Sequence, residues 1–197
     1  MGTMPGGEAA GEAVQALGSF RSYLLLLARM HLDRDLQGKC APSDIVQETL
    51  LEACKAQKNF RGRTFGEQAV WLRKMLVHNA LKAARDLHRE KRDVRRELSL
   101  EEALARSSRC LGGSLAAKIS SPSEKAIQEE RILLVADAIE GLPEAERDVV
   151  LLHFVEGLSM SEIGKRLDRT AAATAGLLHR ALKRLRELVQ EGQEPAE

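Results

Sequence analysis

The sequence predicts an all-α protein of two helical domains joined by a flexible linker, the C-terminal one a helix-turn-helix. Three observations predict it. Runs of β-branched residues are nearly absent from the 197 residues, Gly and Pro are few, and charged residues make up 30%. Apolar residues recur at helical spacing along most of the chain. The stretch from Gly157 to Arg186, GLSMSEIGKRLDRTAAATAGLLHRALKRLR, reads as two helices around a tight turn.

In that stretch Ser159 and Glu162 have the spacing of a capping box, which satisfies unpaired N–H groups at a helix start. Met160, Ile163 and Leu167 supply the apolar stripe that follows. Asp168 and Arg169 make the break, and Thr170 N-caps the next helix. In that second helix Ala171, Leu178, Leu182, Leu185 and Val189 share one face. Ala172, Gly176, His179 and Lys183 share the opposite one, with Arg180 and Arg186 at its margins. From Lys165 to Arg186 there are seven Lys or Arg and one acid. A basic second helix after such a turn suits the DNA major groove.

Charge supports two sites for a polyanion. The formal net charge is only +1, yet residues 71–97 hold nine Lys or Arg against four acids, and residues 123–162 hold three against ten. Cys40, Cys54 and Cys110 are odd in number and widely spaced, which argues against a disulfide framework or a zinc site. The longest apolar run, Tyr23 to Ala28, is too short for membrane insertion. No signal peptide is legible, so a cytoplasmic location is expected. No metal constellation, nucleophile–base pair or phosphate-cradling Gly loop is present. The expectation is therefore no enzyme, no cofactor and no metal, with His31, His78, His88, His153 and His179 scattered.

Taken in order, residues 1–16 read as a disordered lead-in, followed by a first domain over residues 17–97. An amphipathic helix is expected from about Leu17 to Leu36. The next begins at Ser43 or Asp44, with Asp44 as N-cap paired to Gln47. Its Ile45, Val46, Leu50, Ala53 and Cys54 turn inward, leaving Asp44, Gln47, Glu48, Glu52 and Lys55 outside. Thr64 and Glu67 form a second capping box and open a long helix. Leu72, Leu76, Ala80, Ala83, Leu87 and Val94 line one side of that helix. His78, Lys82, Arg85, Arg89, Arg92 and Arg96 line the other, a cationic face suited to a phosphate backbone. Phe60, Phe65 and Trp71 adjoin it, where aromatic faces can stack on unpaired bases. Trp71 is expected in the core and Phe60 partly exposed. Residues 98–124 read as the linker, with a short helix over SLEEALAR capped by Ser99 and Glu102. The second domain spans residues 125–190. Gly141 stops its first helix, Pro143 opens the next, and Glu144 and Glu146 complement the dipole of that helix. Residues 191–197 form a tail.

The order of these parts resembles the small bacterial RNA polymerase sigma factors of the extracytoplasmic-function (ECF) type. The residues that carry the resemblance are SDIVQETLLEA, the FRG before the Trp71-Leu72 helix, and NALKAARDLHREKRDVRRE. In the second half they are GLPEAERDVVLLHFVEGLSMSEIGKRL and LLHRALKRLREL. The resemblance covers residues 18–97 and 125–190. It implies a first domain that binds core RNA polymerase and the melted −10 promoter element, and a second that reads the −35 element. On that basis Asp44, Gln47 and Glu48 match the polymerase-docking face. Phe60, Arg61, Phe65, Asn79, Lys82, Arg85 and Arg89 match the −10 segment. Thr170, Ala172, Gly176, His179, Arg180 and Lys183 fall on the −35 recognition helix, with Arg184 a further phosphate contact. The implied partners are core RNA polymerase, promoter DNA and, in some members of the family, an anti-sigma protein. Asp168 stands where relatives usually have Gly in the turn, and Ala175 and Leu177 where they often carry basic or polar residues. The alternative reading is a dimeric helix-turn-helix regulator that binds a palindrome without polymerase.

Overall fold

The computed structural model describes residues 16–32, 40–62, 64–88, 94–115 and 128–192, and among them every regular element is a helix. Residues 1–15 of the expected lead-in, Arg89, Arg92, the second domain's residues before Gln128 and the end of the tail lie outside the described residues. The chain divides into two compact units, residues 1–105 and 106–197.

In the first unit α1 (Arg21–His31) is shorter than expected, ending where Leu32 turns extended. Tyr23 to Ala28 are all buried, so this helix is apolar on every side and forms the unit's centre. Against it packs α2 (Pro42–Ala56), which in turn packs on α3 (Phe65–His88). The expected Asp44 cap does not form. Ala41 is the N-cap, Pro42 occupies the first turn, and no side chain caps the helix. Proline's fixed φ and missing N–H suit that position, which moves the start upstream and leaves Asp44 in the first turn, facing the dipole. For α3 the capping box is real. The Glu67 N–H donates to Thr64 Oγ1 at 3.2 Å, and the Thr64 N–H donates to Glu67 Oε2 at 3.1 Å. Ala69, Leu72, Leu76, Val77, Ala80, Leu81 and Ala84 form its buried face.

Where the sequence suggested a short helix and a linker, α4 runs unbroken from Val94 to Cys110 and passes into a π-helical turn, Leu111–Leu115. Ser99 therefore lies within a helix instead of capping one. Leu104, Leu111 and Leu115 are buried at spacings of seven and four, a helical stripe that the intervening Ser and Gly residues obscure. The π turn packs on α5 (Gln128–Glu140) and α6 (Glu144–Phe154). A Cβ at Gly112 would meet the Ile132 side chain at 2.8 Å.

The second unit continues with α7 (Met160–Arg166) and α8 (Ala171–Glu191), and α8 packs on α5, α6 and α7. The α5–α6 corner is closed by Arg147. Its guanidinium donates to the carbonyls of Ile139 at 3.3 Å and of Glu140 and Leu142 at 3.0 Å, satisfying acceptors that a helix C-terminus leaves open. Pro143 is the N-cap of α6, with Glu144 and Glu146 in its first turn as expected. The buried face of α8 is Thr174, Leu177, Ala181, Leu185 and Val189. That face is rotated from the expected one: Ala171 is exposed, and Leu178 and Leu182 are only half-buried.

Between α7 and α8 the chain turns over Gly164. A Cβ there would lie 2.6 Å from the Arg169 carbonyl oxygen and 3.2 Å from Thr174 Oγ1. The first is a backbone atom held by the turn, so it cannot swing aside. Gly164→Ala is therefore expected to cost about 1–3 kcal/mol, the usual range for overpacking. Thermal unfolding checks this; an unchanged midpoint would show that the two helices part without cost.

Candidate nucleic-acid interface

The turn that sets the angle of α8 is built from local hydrogen bonds. Asp168 takes a left-handed φ of 53°, which Asp tolerates better than most residues. The Arg169 N–H then donates to the Gly164 carbonyl at 2.7 Å. Thr170 caps α8, accepting from the Ala173 N–H at 3.2 Å, as its position predicted. The Thr174 hydroxyl is buried and donates back to the Thr170 carbonyl at 2.9 Å.

These bonds leave a defined outer surface on α8. Thr170, Ala172, Ala173, Ala175, His179, Arg180 and Lys183 are exposed, and Gly176 is half-exposed between them. All six residues expected on the −35 helix thus share one accessible stretch. Two neighbours have partners within the unit. Leu177 is buried, so its apolar character serves the core. Arg184, expected on phosphate, is exposed and donates to the largely buried Glu146 at 3.0 Å. Arg166 likewise pairs with Glu156 at 2.7 Å.

Ahead of the turn, the Ser159–Glu162 capping box forms in both directions. The Ser159 hydroxyl and then the Ser159 N–H hold the Glu162 carboxyl below the usual carboxylate range. A depressed folded pKa contributes stability that is present above the unfolded value, near 4.5, and lost as pH falls through the folded one. The start of α7 is therefore expected to fray on acidification below that value. The Ser159 amide resonance should report it, and Glu162→Gln should remove the titration; fraying that persists in that variant would assign it to another group.

On the first unit the expected −10 residues fall into three groups. Phe60 stacks on Trp71 with ring centroids 4.6 Å apart, and a Cβ at Gly62 would run into the Phe60 ring. Gly62 thus lets the Phe60 ring fold over the loop. Both rings are half-buried, so Trp71 is not the core residue expected, while Phe60 is partly exposed as expected. Phe65, also half-buried, stacks on the buried Phe20 at 4.8 Å and is anchored in the unit. Arg61, His78 and Lys82 are exposed and Arg85 is half-buried, while Arg89 lies outside the described residues.

Asn79 is a correction. It is only 4% exposed, and its amide donates to Thr49 Oγ1 at 3.2 Å and Glu52 Oε2 at 3.0 Å on α2. It ties α3 to α2 and is buried between them, off the exposed cationic face. Glu52, placed outside by the sequence, is accordingly half-buried. Asp44, Gln47, Glu48 and Lys55 do form an exposed face of α2. The residue missed there is Leu51, 49% exposed in the middle of that polar face. Its position seven residues after Asp44 and three after Glu48 was the available signal.

Among the described residues no His, Cys, Asp or Glu cluster could hold a metal ion, and no helix is long and apolar enough to cross a membrane. The arrangement offers a helix-turn-helix with an exposed basic helix on one unit and a cation-flanked aromatic loop on the other. It defines an all-α DNA-binding protein. The model of the family "Sigma-70, region 4" matches residues 132–185, which span most of α5 through α8. Over 180 residues the chain is 28% identical to the ECF RNA polymerase sigma-E factors of Salmonella typhimurium and of Escherichia coli K12, covering 88% of this chain and 89% of each relative. The ECF RNA polymerase sigma factor BldN of Streptomyces coelicolor is 25% identical over 154 residues, covering 77% of this chain and 52% of that protein. Over both units the chain is similar to sigma factors of the ECF type. Relatedness across both units favours this over a regulator that acts without polymerase.

The Phe60–Trp71 pair makes the first unit testable. Phe60→Ala is expected to weaken capture of single-stranded −10 DNA by about 1–3 kcal/mol, the usual value of one stacked base. Trp71 is the chain's single tryptophan, so its fluorescence should follow binding. A large fall in thermal stability with strand binding unchanged would make the pair purely structural.

Proposed function

We propose that this protein binds core RNA polymerase and directs it to promoters, the first unit engaging the polymerase and the melted −10 element and the second reading the −35 element. The observation that carries this reading is the similarity to ECF sigma factors over 180 residues spanning both units. Phosphodiester chemistry belongs to the polymerase, and the protein acts by positioning, with no catalytic group of its own. Its place of action is the cytoplasm, with promoter DNA and core polymerase as partners and an anti-sigma protein as a regulator consistent with the family.

Docking is assigned to the exposed face of α2. Asp44, Gln47 and Glu48 supply charge and hydrogen bonds, and Leu51 supplies the apolar centre that interfaces favour. Phe60, Arg61, Lys82 and Arg85, with Phe65 holding the loop in place, take the −10 strand. Thr170, Ala172, Gly176, His179, Arg180 and Lys183 take the −35 duplex.

The test is reconstitution. Core polymerase supplied with this chain should initiate from a promoter that core alone ignores. Leu51→Ala combined with Asp44→Ala should weaken the complex at least tenfold, since central interface residues commonly contribute 2 kcal/mol or more. Surface changes of this kind shift stability by only about 0.5 kcal/mol. Full polymerase affinity in the double variant would remove this face of α2 from the interface.

A further inference from the structure

Resting on the proposed polymerase function, we infer that the π turn Leu111–Leu115 is an internal competitor. In the free chain it fills an apolar groove on α5 and α6 that an aliphatic helix of core polymerase takes over in the complex. The seated turn shows what the groove accepts. Leu111 and Leu115, four residues apart, are fully buried, and the turn packs on α5 and α6. A segment that replaces it must therefore be helical and carry two leucine-sized side chains one turn apart. Between them it needs a small residue. A Cβ at Gly112 would lie 2.8 Å from both Cγ1 and Cδ1 of Ile132, which rises from α5 into that gap. Ile132, Leu133 and Leu134 stay only half-buried with the turn in place, so α5 offers apolar surface beyond what the turn covers.

The turn is built to release. A π-helical turn is rare and recurs at functional sites. This one is Leu-Gly-Gly-Ser-Leu, and glycine is the weakest helix former after proline. Ile132 calls for the glycine at 112, but nothing around residue 113 calls for another. A Cβ at Gly113 would meet no atom within 4 Å. Its backbone is not left-handed either, since among the described residues the glycine with a positive φ is Gly157. What Gly113 does is widen the freedom of the released segment, which favours opening. The two leucines close the turn, and the glycines keep it near the point of opening.

Occupancy of the groove then sets its apparent affinity. A partner that needs the groove free binds more weakly in proportion to the fraction of molecules in which it is open. Tightening the turn must weaken the complex, and loosening it must strengthen the complex. Damage to a purely structural element would do the reverse.

The test measures the affinity of the full chain and its variants for core polymerase, together with their thermal midpoints. Gly113→Ala should raise the midpoint and weaken binding about twofold to fivefold, the usual stabilisation when a glycine of compatible φ is replaced. Leu111→Ser with Leu115→Ser should lower the midpoint and strengthen binding. Gly112→Cys with Ile132→Cys, in a chain whose Cys40, Cys54 and Cys110 are replaced by Ser, brings two Cβ atoms within disulfide reach of about 3.5–4.5 Å. Oxidised, that variant should bind about tenfold more weakly or worse, and reduction should restore its affinity. A raised midpoint with unchanged affinity in Gly113→Ala overturns the inference. So does a double serine variant that loses affinity along with stability, because the turn is then a permanent part of the second unit. Equal affinity of the oxidised and reduced forms overturns it as well. Failure of the intact chain to bind core polymerase is a separate outcome, which overturns the polymerase reading and this inference with it.

Discussion

The junction at Gly164 is the constraint on which the DNA-reading half of the molecule depends. The absence of a side chain there lets the Arg169 carbonyl close over α7, and the 2.7 Å bond from the Arg169 N–H to the Gly164 carbonyl fixes the turn. That geometry forces Asp168 into the left-handed region and places Thr170 where it can cap α8. The phase of α8 follows. Thr174, Leu177, Ala181, Leu185 and Val189 go inward, and the basic, small-residue side goes out. Arg147 and the Glu146–Arg184 pair brace the rear of the unit through groups that are satisfied at little solvent cost.

The first unit obeys a different constraint. Its centre is α1, whose Tyr23 to Ala28 are all buried, and α2 turns one face to α1 and α3 and leaves the other exposed. Asn79 locks α3 to that arrangement through Thr49 and Glu52. Its amide oxygen is buried without a hydrogen-bond partner, a cost that the two donor bonds of the same side chain offset. The face of α2 left over carries Asp44, Gln47 and Glu48 around Leu51. An apolar side chain half in water, ringed by polar groups, has the anatomy of a small interface centre.

What was legible in the sequence was local. Both Ser/Thr-x-x-Glu boxes, the Thr170 cap and the break at Asp168 are set by residues within four positions of one another, and each appears in the structure. The errors are of three physical kinds. The phase of α8 was ambiguous because Leu177-Leu178 and Ala181-Leu182 are apolar pairs, and only packing against α5, α6 and α7 decides which member is buried. Asn79 looked like a surface group because its partners lie 30 and 27 residues away along the chain. The continuity of the helix at Val94–Cys110 was hidden by Ser99, Ser107 and Ser108, and that of the following turn by Gly112 and Gly113, while the leucines that hold the turn in place are spread across the break. Local chemistry could not override Pro42 either, since a residue with no N–H to offer takes the first turn and displaces Asp44 from the cap.

The central claim is that two separate DNA-reading surfaces on one chain act together only when polymerase holds them on one promoter. Footprinting of promoter DNA with a single-strand-specific probe, with and without core polymerase, tests it most directly. The account predicts that chain and core together protect two elements and open the strands at the downstream one, while the chain alone does neither. Protection of a palindromic site by the chain alone, unchanged by polymerase, would contradict it.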